Sequence, residues 1–248
     1  MRTSNPALSD KHFGRNLSTT GEKMTIAGTV QKSFLLIGLV LASALWSWKN
    51  TFPTGWAPDV APQIPVWYFG VIIFTLIISL VIIFKPTTAP FLAPGYALGE
   101  GVLLGTISAV FEAKYPGIAL QAILCTMGTF IALLVAYQTR IIKVTENLKL
   151  GIVAATGGIA LVYLIDMGMR FFGMEVPYIH ENGMIGIGVS LFIVVIAAMN
   201  LVLDFDFIEK GAENGAPKFM EWYAAFGLLV TLVWLYLEML RLLSKTRK

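Results

Sequence analysis

Residues 197–215, AAMNLVLDFDFIEKGAENG, carry carboxylates directly after a long apolar run. The first three acids are Asp204, Asp206 and Glu209, and Glu221 follows as the next apolar run begins. An acid at the edge of a hydrophobic segment costs free energy unless it has a partner or a function. We therefore expect functional residues at this boundary.

The composition on either side of this stretch indicates a protein embedded in a membrane. Of 248 residues, 56% are hydrophobic and only 13% are charged. A soluble domain has about 25% charged residues, so this chain has too few charges for a surface that faces water.

Seven apolar segments approach or exceed the length of about 20 residues that a helix needs to cross the hydrocarbon. Their hydrophobicity is continuous rather than alternating, which argues against a membrane β-barrel. We predict an all-α integral membrane protein, with a polar N-terminal segment (1–32) and one seven-helix domain (33–248). The predicted spans are 33–48, 65–84, 95–113, 117–138, 150–172, 184–203 and 221–243.

The basic residues are concentrated on one side of these spans. They are Arg2, Lys11, Arg15, Lys23 and Lys32 before the first span, Arg140, Lys143 and Lys149 after the fourth, and Lys85, Lys210 and Lys218 elsewhere. The positive-inside rule therefore predicts a cytoplasmic N-terminus. Seven spans then put the C-terminus outside, where Lys245, Arg247 and Lys248 fit the rule badly.

Proline and glycine give further expectations about the connections and the packing. Residues 51–65, TFPTGWAPDVAPQIP, predict an extended outer loop, and residues 85–95, KPTTAPFLAPG, predict an inner connection. Small residues let membrane helices approach closely. This predicts tight packing at Gly95, Gly99, Gly101 and Gly105 in the third span, and at Gly151, Gly157 and Gly158 in the fifth.

Three spans are expected to bring carboxylates to one layer near the cytoplasmic surface. Glu100 lies four to six residues inside the third span, which is roughly 6–9 Å. Asp204 ends the sixth span and Glu221 opens the seventh. Asp204 and Asp206 differ by about 200° around a helix, so we expect Asp204 to face inward and Asp206, like Glu209, to be solvated.

Buried carboxylates that lie close together can share a proton or bind a cation. Calcium takes oxygen ligands, whereas zinc prefers histidine and cysteine. His12 and His180 fall in predicted loops and Cys125 is alone, so no zinc site and no cofactor are expected. The bundle also lacks an HExxH motif and a well-positioned Ser–Lys pair, and Asp166 is predicted at the opposite face from Asp204. We therefore expect that the protein is not an enzyme.

On the outer side the spacing predicts local ion pairs between Asp166 and Arg170 and between Glu238 and Arg241. Glu112 and Lys114, which flank a predicted turn, are expected to be solvated.

The seven-span layout, LVLDFDFIEKGAENG (201–215) and the Leu-rich AFGLLVTLVWLYLEMLRLLS (225–244) together resemble the Bax-inhibitor family, the transmembrane Bax-inhibitor-motif proteins. The opening MRTSNPALSDKHF is similar to a bacterial branch, which implies a bacterial inner membrane. The resemblance implies six helices around a central C-terminal seventh. It also implies a pH-sensitive calcium leak with a proton-sensing pair of aspartates on the sixth and seventh helices.

Asp204 matches the first aspartate of that pair, but Thr231 stands where the second is often found. From the depth and topology of these residues, we expect Glu100 or Glu221 to replace the second aspartate as the partner of Asp204. We expect a calcium leak gated by protonation of carboxylates near the cytoplasmic ends of the third, sixth and seventh helices. The candidate residues for the ion pathway and for pH sensing are Asp204, Glu100, Glu221, Asp206 and Thr231. The expected partners are the bilayer and calcium ions, with no nucleic acid. The alternative is a non-conducting regulator that binds a membrane protease or stress-response protein.

Overall fold

The computed structural model describes residues 22–52, 61–171, 173 and 183–247. Within them the chain forms seven α-helices that run alternately in opposite directions. They are α1 (Ile26–Thr51), α2 (Trp67–Phe84), α3 (Ala89–Lys114), α4 (Ile118–Gln138), α5 (Glu146–Phe171), α6 (Met184–Glu213) and α7 (Met220–Thr246). The prediction of an all-α fold with seven helices is confirmed. Most of the predicted polar N-terminal segment and the middle of the predicted outer loop lie outside the described residues.

Six of the seven described helices are long and apolar enough to cross a membrane, and α3 is the exception. With 26 residues, α3 is longer than the about 20 that a span requires. Its composition sets it apart, because it contains Glu100, two prolines and several glycines.

α7 is the most buried of these six helices. In its most apolar stretch, 67% of the residues are buried inside the protein, against 22% in α2 and α4. α7 packs against α1, α3, α4 and α6, while α2 packs on α3 and α5 packs on α6. α2 and α5 therefore form the periphery of the bundle.

α1 and α3 approach closely because α3 presents glycines to α1. A Cβ atom on Gly105 would lie 2.3 Å from the carbonyl oxygen of Ala44, and one on Gly101 would lie 2.3 Å from that of Val40. Just beyond, Ser47 of α1 donates to the carbonyl oxygen of Val102 at 2.8 Å. The predicted role of small residues is confirmed at these glycines of α3.

The same prediction is wrong for α5. A Cβ atom on Gly151, Gly157 or Gly158 would meet no heavy atom within 4 Å. These glycines lie on a helix that has most of its surface outside the protein core, so a small side chain there has no close neighbour to accommodate.

Three helices extend six or more residues beyond one of their predicted limits. α1 begins at Ile26, and its preceding Thr25 accepts a hydrogen bond from the N–H of Gly28 at 3.0 Å. The predicted connection 85–95 is mostly helix, because a 3-10 turn is followed directly by α3, whose first turn tolerates proline. α6 continues ten residues past the predicted end of its span.

Ion pairs join the helix ends at one end of the bundle. Lys32 of α1 pairs with Glu221 of α7, Arg140 after α4 pairs with Glu209 of α6, and Lys149 of α5 pairs with Asp206 of α6. We call this the basic end. At the opposite end, Arg247 donates to the carbonyl oxygen of Pro116 at 2.6 Å, which ties the end of α7 to the start of α4.

Candidate functional site: carboxylates of α3, α6 and α7

α6 remains helical through its acids because other helices supply partners for them. Asp206 is 8% exposed and lies 2.7 Å from the Nζ atom of Lys210 and 3.3 Å from that of Lys149. Lys149 is itself only 3% exposed and also pairs with Glu146 at 3.1 Å. The prediction that Asp206 is a solvated end residue is therefore wrong.

Glu209 is likewise held rather than solvated. One carboxylate oxygen accepts a hydrogen bond from the Tyr137 hydroxyl, and the other lies 2.7 Å from the Arg140 guanidinium. These contacts connect the end of α4 to α6, which corrects the prediction made for Glu209.

Glu221, at the second position of α7, is fully buried. Its carboxylate accepts hydrogen bonds from the backbone N–H and the hydroxyl of Thr25, both at 2.9 Å. It also pairs with Lys32 and, at 3.4 Å, with Lys218. Glu221 therefore links the start of α7 to the start of α1 through several contacts at once.

The backbone next to Glu221 strengthens this link. Met24 donates to the carbonyl oxygen of Ala216 at 2.7 Å, and Lys218 donates to that of Glu22 at 2.9 Å. We call residues 22–25 and 216–221 together the N-terminal clasp. Residue 28, next to the clasp, has no room for a side chain. A Cβ atom on Gly28 would lie 2.2 Å from a carboxylate oxygen of Glu221.

The other candidate residues lie deeper in the bundle. Glu100 and Thr231 are each eleven residues from the start of their helices, about 16 Å at 1.5 Å per residue. Asp204 is nine residues before the end of α6, about 14 Å from it. Glu221 is about 15 Å from Thr231 along α7. The prediction of one shallow layer is corrected: Glu221 lies outside it, and Glu100 is deeper than expected.

Two contacts fix the register of α3 against α7. Tyr96 packs edge-to-face on Phe226 with ring centroids 4.9 Å apart. Farther along, the hydroxyl groups of Ser108 and Tyr236 are 2.6 Å apart. Each residue of α3 therefore lies level with the residue of α7 whose number is 128 to 130 higher. Glu100 is accordingly level with residues 228–230.

Along α3, Glu100 lies between two residues that contact α7. Tyr96, Glu100 and Ser108 are separated by multiples of four residues, and the first and last of them contact α7. The Tyr96 hydroxyl faces the Glu100 carboxylate. Among the residues that the structure describes, Glu100 makes no ion pair.

Asp204 is 1% exposed and Thr231 is 3% exposed. The Thr231 hydroxyl donates to the carbonyl oxygen of Gly227 in its own helix at 3.3 Å. One turn from Asp204 along α6, Asn200 donates to the hydroxyl of Thr156 at 2.9 Å. Polar groups of α3, α5, α6 and α7 thus occupy the same depth range in an otherwise apolar interior.

Within the described ranges, no group of three or more His, Cys, Asp or Glu residues could hold a metal ion. Cys125 is exposed, while His12 and His180 lie outside those ranges. A cation in the deep layer would therefore meet carboxylate, hydroxyl and carbonyl oxygens rather than a compact cage.

Both local ion pairs predicted for the opposite end are present. Asp166 lies 3.1 Å from the Nε atom of Arg170, and Glu238 lies 2.9 Å from Arg241. Sequence reasoning missed Tyr163, whose hydroxyl donates to Glu238 at 2.9 Å and so adds α5 to the second pair.

The prediction that Glu112 is solvated is wrong. Its carboxylate accepts hydrogen bonds from the backbone N–H groups of Gly117 and, at 3.0 Å, Ala119. These donors belong to the start of α4, where backbone N–H groups have no partner inside the helix. An acid shortly before a Pro-Gly turn and a new helix is a sequence signal for such a cap.

Comparison with known proteins extends over nearly the whole chain. The model of the family described as Bax inhibitor 1 like matches residues 5–248. No curated protein and no solved structure matches the chain. The matched range includes all seven described helices and every carboxylate discussed above.

Proposed function

The chain belongs to the Bax inhibitor 1-like family, and we propose that it is a pH-sensitive leak for calcium. The observation that carries this proposal is the common depth of Asp204 and Glu100 beside the buried helix α7. Two acids inside a membrane bundle are costly to keep charged. Such residues commonly mark a pathway for ions or protons.

In this proposal Asp204 and Glu100 form the proton-sensitive layer, and Thr231 contributes a hydroxyl oxygen to it. When the carboxylates are charged, their oxygens attract a divalent cation, since calcium prefers oxygen ligands. When a proton is bound, that attraction falls and the neighbouring helices can close around the layer. Calcium flux should therefore rise with pH.

Glu221 and Asp206 have a structural role in this proposal. Each already has lysine partners within 3.5 Å, and a cation would have to displace those lysines. These ion pairs join α1 to α7 and α5 to α6 at the basic end. We therefore assign the described arrangement to a closed state.

The proposal takes α7 as the centre of the bundle and the membrane as a bacterial inner membrane with the basic end cytoplasmic. Support for the first comes from the burial of α7 and its four packing neighbours. Support for the second comes from the lysines and arginines that the basic end carries, as the positive-inside rule expects of cytoplasmic loops. No residue has a catalytic role in this scheme.

Calcium flux into dye-loaded proteoliposomes tests the proposal. A gate controlled by one proton changes flux by up to about tenfold per pH unit. We expect such a response in the wild type when flux is measured from about pH 6 to about pH 8. Asp204→Asn and Glu100→Gln should give low flux with little pH dependence. Glu213→Gln is the matched control, because Glu213 is exposed at the end of α6.

Unchanged flux and pH dependence in Asp204→Asn would remove the basis of the proposal. Absence of flux above empty liposomes, with folded protein in the membrane, would favour the alternative function, a non-conducting regulator that binds another membrane protein.

A further inference from the structure

α1 and α4 lie on the same side of α7 but, within the described residues, form no packed interface with each other. The space between them is an elongated apolar opening, which we call the α1–α4 crevice. It comprises a cavity of 370 Å³ and a smaller one of 130 Å³, and Ile37 lines both. An apolar cavity of about 150 Å³ is enough to hold benzene, so the larger cavity can hold part of a hydrocarbon chain.

The crevice follows one face of each flanking helix. On α1 its lining extends from Ile26 to Ala44, which is about 27 Å at 1.5 Å per residue. On α4 it extends from Ile123 to Gln138. One leaflet contributes about 15 Å of hydrocarbon, half of the membrane core. The crevice is thus longer than one leaflet and begins at the basic end.

The larger cavity extends over about 16 Å of α1, from Ile26 to Ile37. This is about the hydrocarbon thickness of one leaflet, which one acyl chain spans. Apolar side chains at the opening, such as Phe34 at 71% and Leu41 at 51% exposure, face the surrounding lipid.

The mouth of the crevice is lined by Arg140 and by its ion-pair partner Glu209. Arg140 lines it, and the Arg140 side chain remains 64% exposed although one guanidinium nitrogen bonds Glu209. A guanidinium has five N–H donors, so donors remain for another oxygen ligand. Tyr137 fixes Glu209 from the other side, and Lys143 is exposed three residues further on.

We propose that the α1–α4 crevice binds an anionic phospholipid, with an acyl chain between α1 and α4 and the phosphate at Arg140. The floor of the crevice includes Phe205 of α6 and Leu228 of α7. The bound chain therefore seals an opening that would otherwise expose the buried helices to the bilayer. This inference does not depend on ion conduction.

A phospholipid with a photoactivatable acyl chain tests the proposal in the full-length protein. After reconstitution and illumination, peptide mass spectrometry maps the labelled residues. We expect labelling at residues 30–37 of α1 and 130–134 of α4 that exceeds labelling on the exposed face of α2. That face, with Ile73 and Leu76, reports contact with bulk lipid. Equal labelling of the two surfaces would overturn the proposal, as would cross-links to a second copy of the chain in the crevice.

Two matched pairs of variants separate the chain from the phosphate. Ser33 lines the crevice, so Ser33→Phe should reduce labelling there to the level of α2, whereas Ser79→Phe on α2 should not. Arg140→Gln should lower the preference for anionic over zwitterionic lipid about fivefold, the effect of one basic residue near a membrane. Arg170→Gln, at an ion pair of the opposite end, should leave that preference unchanged. An unchanged preference in Arg140→Gln would overturn the assignment of the phosphate.

Discussion

Glu221 and Asp204 are both buried acids, on α7 and α6 respectively, yet their surroundings differ. Glu221 lies in the first turn of α7 and receives two hydrogen bonds from Thr25 and two lysine side chains. Asp204 lies about 14 Å from the end of α6, between the buried side chains of Leu203 and Phe205. Burial alone therefore does not distinguish an acid that joins helices from one suited to sense protons. Their depth in the bundle does.

The largest expected effect is on stability, at the N-terminal clasp. Breaking a buried ion pair by removing one partner costs about 3–5 kcal/mol. Because Lys32 and Lys218 reach water at 18% and 45% exposure, we expect Glu221→Gln to lower the free energy of unfolding by about 3 kcal/mol. Titration with SDS in mixed micelles measures it. Glu146→Gln, at 75% side-chain exposure, is the control and should change it by less than about 0.5 kcal/mol.

The comparison between the two acids fails if Glu221→Gln leaves stability unchanged but removes the pH dependence of calcium flux.

Gly28→Ala tests the clasp from the side of α1. In an ordinary helix this change is stabilising by about 1 kcal/mol. Here the new Cβ would meet the Glu221 carboxylate at 2.2 Å, and each lost hydrogen bond to a charged group costs about 1.5–3 kcal/mol. We expect a net loss of about 2 kcal/mol in the same SDS titration. In a Glu221→Ala background the loss should disappear, and a loss of equal size in both backgrounds would contradict the contact.

Thr231→Asp sharpens the comparison by adding an acid to the deep layer. Thr231 lies within one turn of residues 228–230, which are level with Glu100, and it is 3% exposed. An additional titrating group should steepen the dependence of flux on pH by about a further tenfold per unit. Thr231→Asn is the control of equal size, and it should leave the steepness as in the wild type. A flux measurement in which the two variants behave alike would exclude Thr231 from the layer.

The smallest expected effect concerns the two lysines at Asp206. Lys210 is 29% exposed on the same helix, whereas Lys149 is 4% exposed on α5. Lys210→Gln should lower the free energy of unfolding by only about 0.5 kcal/mol, as for other accessible pairs. Lys149→Gln should have the larger effect, because it leaves α6 without its cation from α5. The reverse order in the SDS titration would show that the cross-helix pair adds little.

The sequence predicted the helices well because their apolar runs are long and continuous. It misjudged the end of α6, since Asp204, Asp206 and Glu209 have the composition of a helix end. Asp206 and Glu209 are held in the bundle by Lys149 and Tyr137, which belong to other helices. No local pattern within α6 reveals them.

The sequence predicted only part of the candidate site, because spacing reveals contacts within one helix but not contacts between helices. Spacing within one helix gave the pairs Asp166–Arg170 and Glu238–Arg241, because residues three or four apart are neighbours on a helix. The depth of Glu100 was underestimated because Pro90 and Pro94 suggested a loop where α3 had already begun. The clasp depends on residues nearly 200 positions apart, beyond any local spacing rule.

The N-terminal clasp also has a consequence for biosynthesis. Thr25 and Glu221 are separated by 196 residues, so the contact cannot form until the start of α7 has left the ribosome. During most of translation Lys32 lacks the acid that it pairs with in the folded chain. Since domains fold more slowly when their contacts are distant in sequence, closure of the bundle is a late event. α7, which is synthesised after α1, completes the anchoring of α1.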